Sequence, residues 1–150
     1  MASPRKDFGN DARRVLVSIN PTAGRRDVAA EIDHLATLLR QTGCEVTLGD
    51  NLAELADQAN SEHAAGRLLA IVGVGGDGTA AELANRLAPE TPLALYPAGT
   101  SNLLARHLGL VANPRSVATT ILENRRIRFD AGRANGRLFL LMIGCGFDAE

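Results

Sequence analysis

Residues Leu68 to Val74 are apolar on both faces and run without a break into Gly75-Gly76-Asp77-Gly78-Thr79. A strand with no polar side cannot sit in a sheet that has one wet face. It belongs inside a parallel sheet covered by helices above and below. The glycines then demand a tight turn, and Leu83 and Leu87 resume the chain at helical spacing. This strand–turn–helix unit pushes the chain toward the α/β class.

The flanking segments repeat the unit. Val15 to Ile19 is a mostly β-branched run stopped by Asn20-Pro21 and followed by the turn Thr22-Ala23-Gly24. Val28, Ile32, Leu35, Ala36 and Leu39 then fall on one helix face, and Gly43 ends that helix as a C-terminal cap. Glu45 to Leu48 predicts a second strand, and Leu52, Leu55, Ala56 and Ala59 a second helix. Pro92 to Tyr96 predicts a fourth strand, followed by the turn Pro97-Ala98-Gly99-Thr100-Ser101-Asn102 and a short helix. Asn113-Pro114 supplies the cap and first residue of a last helix through Val117 and Leu122. The alternation predicts an open, mostly parallel sheet with helices on both faces over residues 14–125.

The rhythm changes after Asn124. Ile127 to Arg133 and Arg137 to Ile143 are strand-like runs on either side of Ala134-Asn135-Gly136, a hairpin signal. Residues 126–150 therefore read as the first strands of a second, antiparallel domain. The chain stops at Glu150, soon after Gly144-Cys145-Gly146-Phe147-Asp148, and is expected to be interrupted there. Residues 1–13 are polar and read as a flexible tail, with no apolar run of the kind a signal peptide needs.

Charge narrows the partners. The formal net charge is −1, so no global basic field draws the protein to nucleic acid. Lys6 is the only lysine, and every other fixed cation is arginine. The longest apolar stretch, Leu138 to Ile143, is too short to span a bilayer. Cys44 and Cys145 have no metal or disulfide spacing and read as reduced thiols of a cytoplasmic protein. His34, His63 and His107 lie in helical stretches without ligand spacing and read as surface or helix-end residues.

In an open α/β sheet, ligands bind at the carboxyl ends of the strands. Three small-residue loops are expected there: Asn20 to Arg26, Gly73 to Thr79, and Pro97 to Asn102. Gly73 to Gly78 matches G-x-G-x-x-G, but the following strand ends Leu95-Tyr96-Pro97 and carries no acid for a ribose. That removes the dinucleotide reading. A P-loop needs a lysine that is absent from this turn. What remains is a phosphate cradle with a carboxylate in its middle, where backbone N–H groups meet phosphate oxygens at a helix N-terminus. Asp77 then fits as a holder of Mg2+ through water, or as a group that polarises an attacking hydroxyl. The plain alternative is that Asp77 caps its helix and the glycines only make a turn. Thr100 and Asn102 have the same alternative as caps, and Asn20 that of closing a turn.

Taken together the motifs resemble those of the diacylglycerol kinase and sphingosine kinase catalytic-domain family, including its bacterial lipid-kinase members. Asn20-Pro21-Thr22-Ala23-Gly24 resembles the family's N-P-x-x-G. Gly75-Gly76-Asp77-Gly78-Thr79 with Glu82 and Asn85 resembles G-G-D-G-T-x-N-E-x-x-N. Pro97 to Asn102 with Ala105-Arg106 resembles P-x-G-T-x-N-x-x-A-R, and Gly146-Phe147-Asp148-Ala149 is similar to the segment entering the second domain. Ala81 departs from a frequent Asn, and Leu103-Leu104 from a frequent Asp-Phe or Asp-Tyr.

The resemblance implies a phosphofructokinase/NAD-kinase-like sheet and an ATP- and Mg2+-dependent lipid kinase. Gly75, Gly76, Asp77, Gly78 and Thr79 would lie under the phosphates with Gly99, Thr100 and Asn102 beside them. Asn20, Thr22 and Asn51 would line the nucleotide, Glu82 would orient the cradle or hold metal-bound water, and Asp148 would face the lipid head group. Asp77 is the expected catalytic and metal-holding residue here, with the general base expected beyond Glu150. Arg25, Arg26 and Arg106 are further candidates for phosphate contacts. The protein would work from the cytoplasm, peripherally at the inner membrane, on a diacylglycerol-like or sphingoid lipid, and these residues alone would turn over little substrate. A soluble-substrate kinase of the NAD-kinase type and a non-catalytic nucleotide-binding module are the competing readings. Nothing in the sequence specifies an oligomeric state.

Overall fold

The computed structural model describes residues 12–20 and 27–141. Its first seven elements alternate strictly: β1 (Arg14–Ile19), α1 (Ala29–Gln41), β2 (Glu45–Gly49), α2 (Leu52–Ala64), β3 (Leu68–Gly75), α3 (Asp77–Arg86) and β4 (Leu93–Pro97). The four strands form one sheet in the order β2-β1-β3-β4, and every pairing is parallel. Helices α4 (Leu103–His107) and α5 (Pro114–Leu122) precede a separate antiparallel hairpin, β5 (Gly132–Ala134) and β6 (Arg137–Phe139). The α/β class with a parallel sheet, helices on both faces and a terminal hairpin is as the sequence predicts.

The two core clusters show why the central strands have no polar face. Side chains along a strand point alternately to opposite sides. Val15 and Val17 of β1, with Ala70, Val72 and Val74 of β3, pack on one side against Ile32, Leu35 and Leu39 of α1 and Val117, Ala118 and Ile121 of α5. Leu16 and Ile71 point the other way and meet Leu55, Ala56 and Ala59 of α2 and Leu83 of α3. Cys44 is a free, buried thiol in the first cluster, while Cys145 lies outside the described residues.

Local signals set most boundaries. The Asn51 side chain accepts a hydrogen bond from the Glu54 amide and starts α2, and Asn113 does the same with Ser116 before Pro114 of α5. Gly43, at φ +87°, turns the chain out of α1. At the tip of the hairpin, Asn135 and Gly136 both have positive φ, which matches the two-residue turn that the right-handed strand twist prefers.

The hairpin strands are shorter than the apolar runs suggest. Residues 125–131 carry no regular structure, and Ile127 is 72% exposed. A strand needs a hydrogen-bonding neighbour as well as β-branched side chains, and no neighbour lies beside that stretch among the described residues. Instead Arg128 pairs with Glu90 and Arg126 donates to the Leu69 carbonyl, fastening the stretch to the main sheet's periphery.

Candidate active site

Strands β1 and β3 are neighbours, yet the helices that follow them, α1 and α3, cover opposite faces of the sheet. The chain therefore parts at their carboxyl ends and leaves a crevice, the place where open α/β sheets take ligands. The crevice is laced on both sides. The Asn20 amide nitrogen continues the ladder by donating to the Val74 carbonyl, and its side-chain Nδ2 donates to Thr79 Oγ1 at 3.2 Å. Thr79 is buried, so its hydroxyl serves this tie between the first and second loops.

The glycines divide into two kinds. A Cβ on Gly75 would sit 2.8 Å from Thr79 Cβ, and one on Gly99 would sit 2.5 Å from Gly76 Cα. Gly75 and Gly99 are glycine because the first turn of α3 and the Gly76 backbone pass too close for a side chain, while a Cβ on Gly76 would be tight at 3.2 Å from Gly99 Cα. Gly78 is different. A Cβ there would meet nothing within 4 Å, although the residue lies in the first turn of α3, where alanine is the better helix former. The fold does not require Gly78 to be glycine. Its missing side chain leaves open room directly above the start of a helix.

Asp77 occupies the first position of α3, behind Gly76 at the N-cap, which gives no side-chain cap bond. Its carboxylate reaches across to the third loop instead. Oδ2 accepts from the Leu103 amide and Oδ1 from the Leu104 amide, each at 2.9 Å. Asp77 is thus a cap, but for α4 and not for its own helix. Each oxygen keeps a further lone pair for a ligand. Asn102 stands at the N-cap of α4 in the left-handed region and makes no cap bond with its side chain. That side chain folds back on Gly99, accepting from its amide at 2.9 Å and donating to its carbonyl at 2.8 Å. Ala98 completes the junction by donating its amide to the Gly75 carbonyl.

The structure therefore brings together Asn20, Gly75, Gly76, Asp77, Gly78, Thr79, Gly99 and Asn102 around one strand edge. Thr100 is exposed on the bend next to Gly99. Asn51 is at the same end of the edge strand β2, engaged as the cap of α2. Glu82 lies elsewhere. Its carboxylate pairs with Arg86 at 2.8 Å and with Arg137 of β6 at 3.2 Å, one and a half turns away from the cradle. The Arg86 and Arg137 guanidinium groups hold its acid form below the ordinary glutamate range. Thr22, Arg25, Arg26 and Asp148 fall outside the described residues, and Arg106 is exposed on α4. Among the described residues, no three His, Cys, Asp or Glu side chains gather into a metal-binding group. His34 is exposed, and His63 and His107 close α2 and α4.

Sequence reading left Asn85 without a role beyond its place in the motif. Its Oδ1 accepts from the Leu138 amide at 2.8 Å, and its Nδ2 donates to the Leu138 carbonyl and to Ala81 O at 2.9 Å each. The contact of Gly76 with Gly99 was likewise beyond sequence reading. No local pattern states which two loops touch.

The diacylglycerol kinase catalytic domain profile matches residues 14–134, and the chain belongs to that lipid-kinase family. It is 32% identical to "Diacylglycerol kinase" of Bacillus subtilis, over 89% of this chain and 46% of the relative. It is 33% identical to "Probable lipid kinase YegS-like" of Pseudomonas aeruginosa, over 91% of this chain and 45% of the relative. A crystal structure of a diacylglycerol kinase from Bacillus anthracis superposes with a TM-score of 0.66 at 29% identity, covering 85% of this chain and 46% of that one. The chain spans about half the length of the relatives it matches. No helix of the described residues is long and apolar enough to cross a membrane.

Proposed function

We propose that this chain forms the nucleotide side of an ATP-dependent lipid kinase that moves the γ-phosphoryl group to a lipid hydroxyl. Gly78 carries the reading. A glycine is a poorer helix former than alanine, by up to about 1 kcal/mol in a helix interior and less in the first turn where Gly78 sits, and nothing in the fold demands it. A ligand that needs the backbone N–H groups of the first turn accounts for that cost. A phosphate is the ligand best suited to those amides and to the positive end of a ten-residue helix.

In this reading Asp77, Gly78 and Thr79 present their amides to phosphate oxygens, with Asn20 and Thr100 at the rim. Asp77 holds Mg2+ through water with the lone pairs its α4 bonds leave free. The metal supplies neutralisation of phosphate charge when bound. The family membership and the lipid kinases among its relatives support a lipid acceptor. We place Asp148 beside that acceptor and the general base in a second lobe, with the protein acting from the cytoplasmic side of the membrane.

Thermal melting with Mg-ATP or Mg-ADP tests the nucleotide half. A ligand at a hundredfold excess over Kd stabilises by about 2.7 kcal/mol. Gly78→Ala should keep the fold and lose most of that gain. Equal gains in both proteins would leave the reading without its basis. Labelled ATP with diacylglycerol or sphingosine vesicles, given to the protein that includes the second lobe, tests the acceptor. Label that stays in water-soluble product would point to a soluble substrate instead.

A further inference from the structure

The joint between α3 and the hairpin has the chemistry of a backbone pairing made by a side chain. In a hairpin closed by a two-residue turn, the closing pair Ala134–Arg137 exchanges hydrogen bonds, and the next pair, Arg133–Leu138, does not. The N–H and C=O of Leu138 therefore point away from β5, toward an open sheet edge. Asn85 fills that edge. Its amide group imitates a peptide, giving a donor to the Leu138 carbonyl and an acceptor to the Leu138 amide. A third bond, to Ala81 O one turn earlier on α3, fixes the rotamer. Glu82, next to Ala81, takes Arg137 from the same strand and Arg86 from the same helix.

Both attachments sit on α3, and α3 begins at the cradle. From Asp77 to Asn85 the helix rises about 12 Å at 1.5 Å per residue. Over that length a helix with Leu83 and Ala80 buried beneath it moves as one body. A shift of its first turn must also move the group that holds Leu138.

We infer that Asn85, assisted by Glu82, is a positioning residue that couples the phosphate cradle to the β5–β6 hairpin through α3, so that the hairpin docks more firmly when the cradle is filled. The clamp itself stands on the hydrogen bonds alone. The coupling rests on the reading of the cradle as a nucleotide site.

Amide hydrogen exchange on the whole chain separates the two parts. Without ligand, Asn85→Ala should speed exchange at Leu138 by roughly tenfold or more, since both of its side-chain hydrogen bonds to Leu138 are lost, while amides of β1 and β3 keep their rates. Asn85→Asp keeps the acceptor but loses the donors, and should fall between the two. With Mg-ATP added, the wild type should show slower exchange at Leu138, and Asn85→Ala should show no further slowing there even where Mg-ATP still protects Gly78. Arg137→Ala, which alters an exposed side chain, should give a several-fold rise at Leu138 and covers the case in which Asn85→Ala does not fold. Unchanged Leu138 exchange in these variants overturns the clamp. Ligand protection of Leu138 that survives in Asn85→Ala, or that is undiminished in Arg137→Ala, overturns the coupling. If Mg-ATP protects nothing in the wild type, the nucleotide reading and the coupling fall together, and the ligand-free rates still decide the clamp.

Discussion

The cradle and the hairpin joint both tie α3 to a neighbouring segment, and they do it with opposite materials. At the cradle, glycine backbones touch directly. Gly76 lies against Gly99, and the polar contacts are side chains folded onto main chain, Asp77 onto α4 and Asn102 onto Gly99. At the joint, solvent-accessible side chains do the fastening: an amide, a glutamate and two arginines. The first kind has no slack, because a backbone cannot change rotamer to relieve a clash. The second kind can loosen and reform. The proposed task of holding phosphate oxygens in fixed positions suits the first, and the attachment of a separate hairpin suits the second.

The sharpest way to break the contrast is Gly99→Ala. Its Cβ would meet Gly76 Cα at 2.5 Å, and both partners are main chain. We expect a loss of about 3 kcal/mol, the upper end for overpacking, read as a lower urea midpoint with unchanged slope. A cost within about 0.5 kcal/mol, the range of ordinary surface changes, would mean that the loops yield and that the cradle is not rigid.

Asp77→Ala comes next. It removes two charge-assisted bonds and leaves the Leu103 and Leu104 amides without their cap, at an expected cost of about 2 kcal/mol. Exchange at those two amides should quicken before any other part of the sheet is affected. This separates Asp77's part in building the site from its proposed part in holding Mg2+. If Asp77→Ala lost Mg-ATP binding with stability and α4 exchange untouched, the capping role would be the one to discard.

The joint should respond least. Glu82→Gln breaks two exposed ion pairs, worth at most about 1 kcal/mol after screening by solvent. Its pH dependence has a definite sign. The folded carboxyl is held below its ordinary range by hydrogen bonds from Arg86 and then Arg137. Its contribution is therefore complete above the ordinary glutamate value of about 4.3 and is lost as pH falls through the lowered folded value. The chemical shift of the Leu138 amide, followed downward in pH, should report undocking of the hairpin while β1 and β3 remain intact. Simultaneous loss of both would show that the joint has no independence from the main sheet.

Much of this molecule could be read from order and spacing. The doubly apolar run at Leu68 implied a covered parallel sheet, and Asn135-Gly136 implied a hairpin, because each is a local pattern with few competing solutions. The three loops were placed at one sheet edge because parallel strands joined by helices all end on the same side. Residues 127–131 misled because strand propensity says nothing about whether a partner strand is at hand. The resemblance implied that Glu82 would orient the cradle or hold metal-bound water. Its carboxylate meets the arginines of α3 and β6, about one and a half turns beyond Asp77.

Gly75-Gly76-Asp77-Gly78-Thr79 divides the same way. The sequence by itself determined that a tight, glycine-rich turn would start a helix at the end of a buried strand, since glycine spacing and apolar patterning are local properties. Which glycine the fold requires and which it does not was decided by tertiary structure, for only the neighbours around Gly75, Gly78 and Gly99 distinguish a clash from open space. A capping role for Asp77 was only the plain alternative offered by its residue type, and for its own helix. That it caps α4, twenty-six residues away in the chain, depended on the folding of the third loop beside the second. Such contacts join segments that no periodicity links, and only a packed sheet sets them within hydrogen-bonding reach.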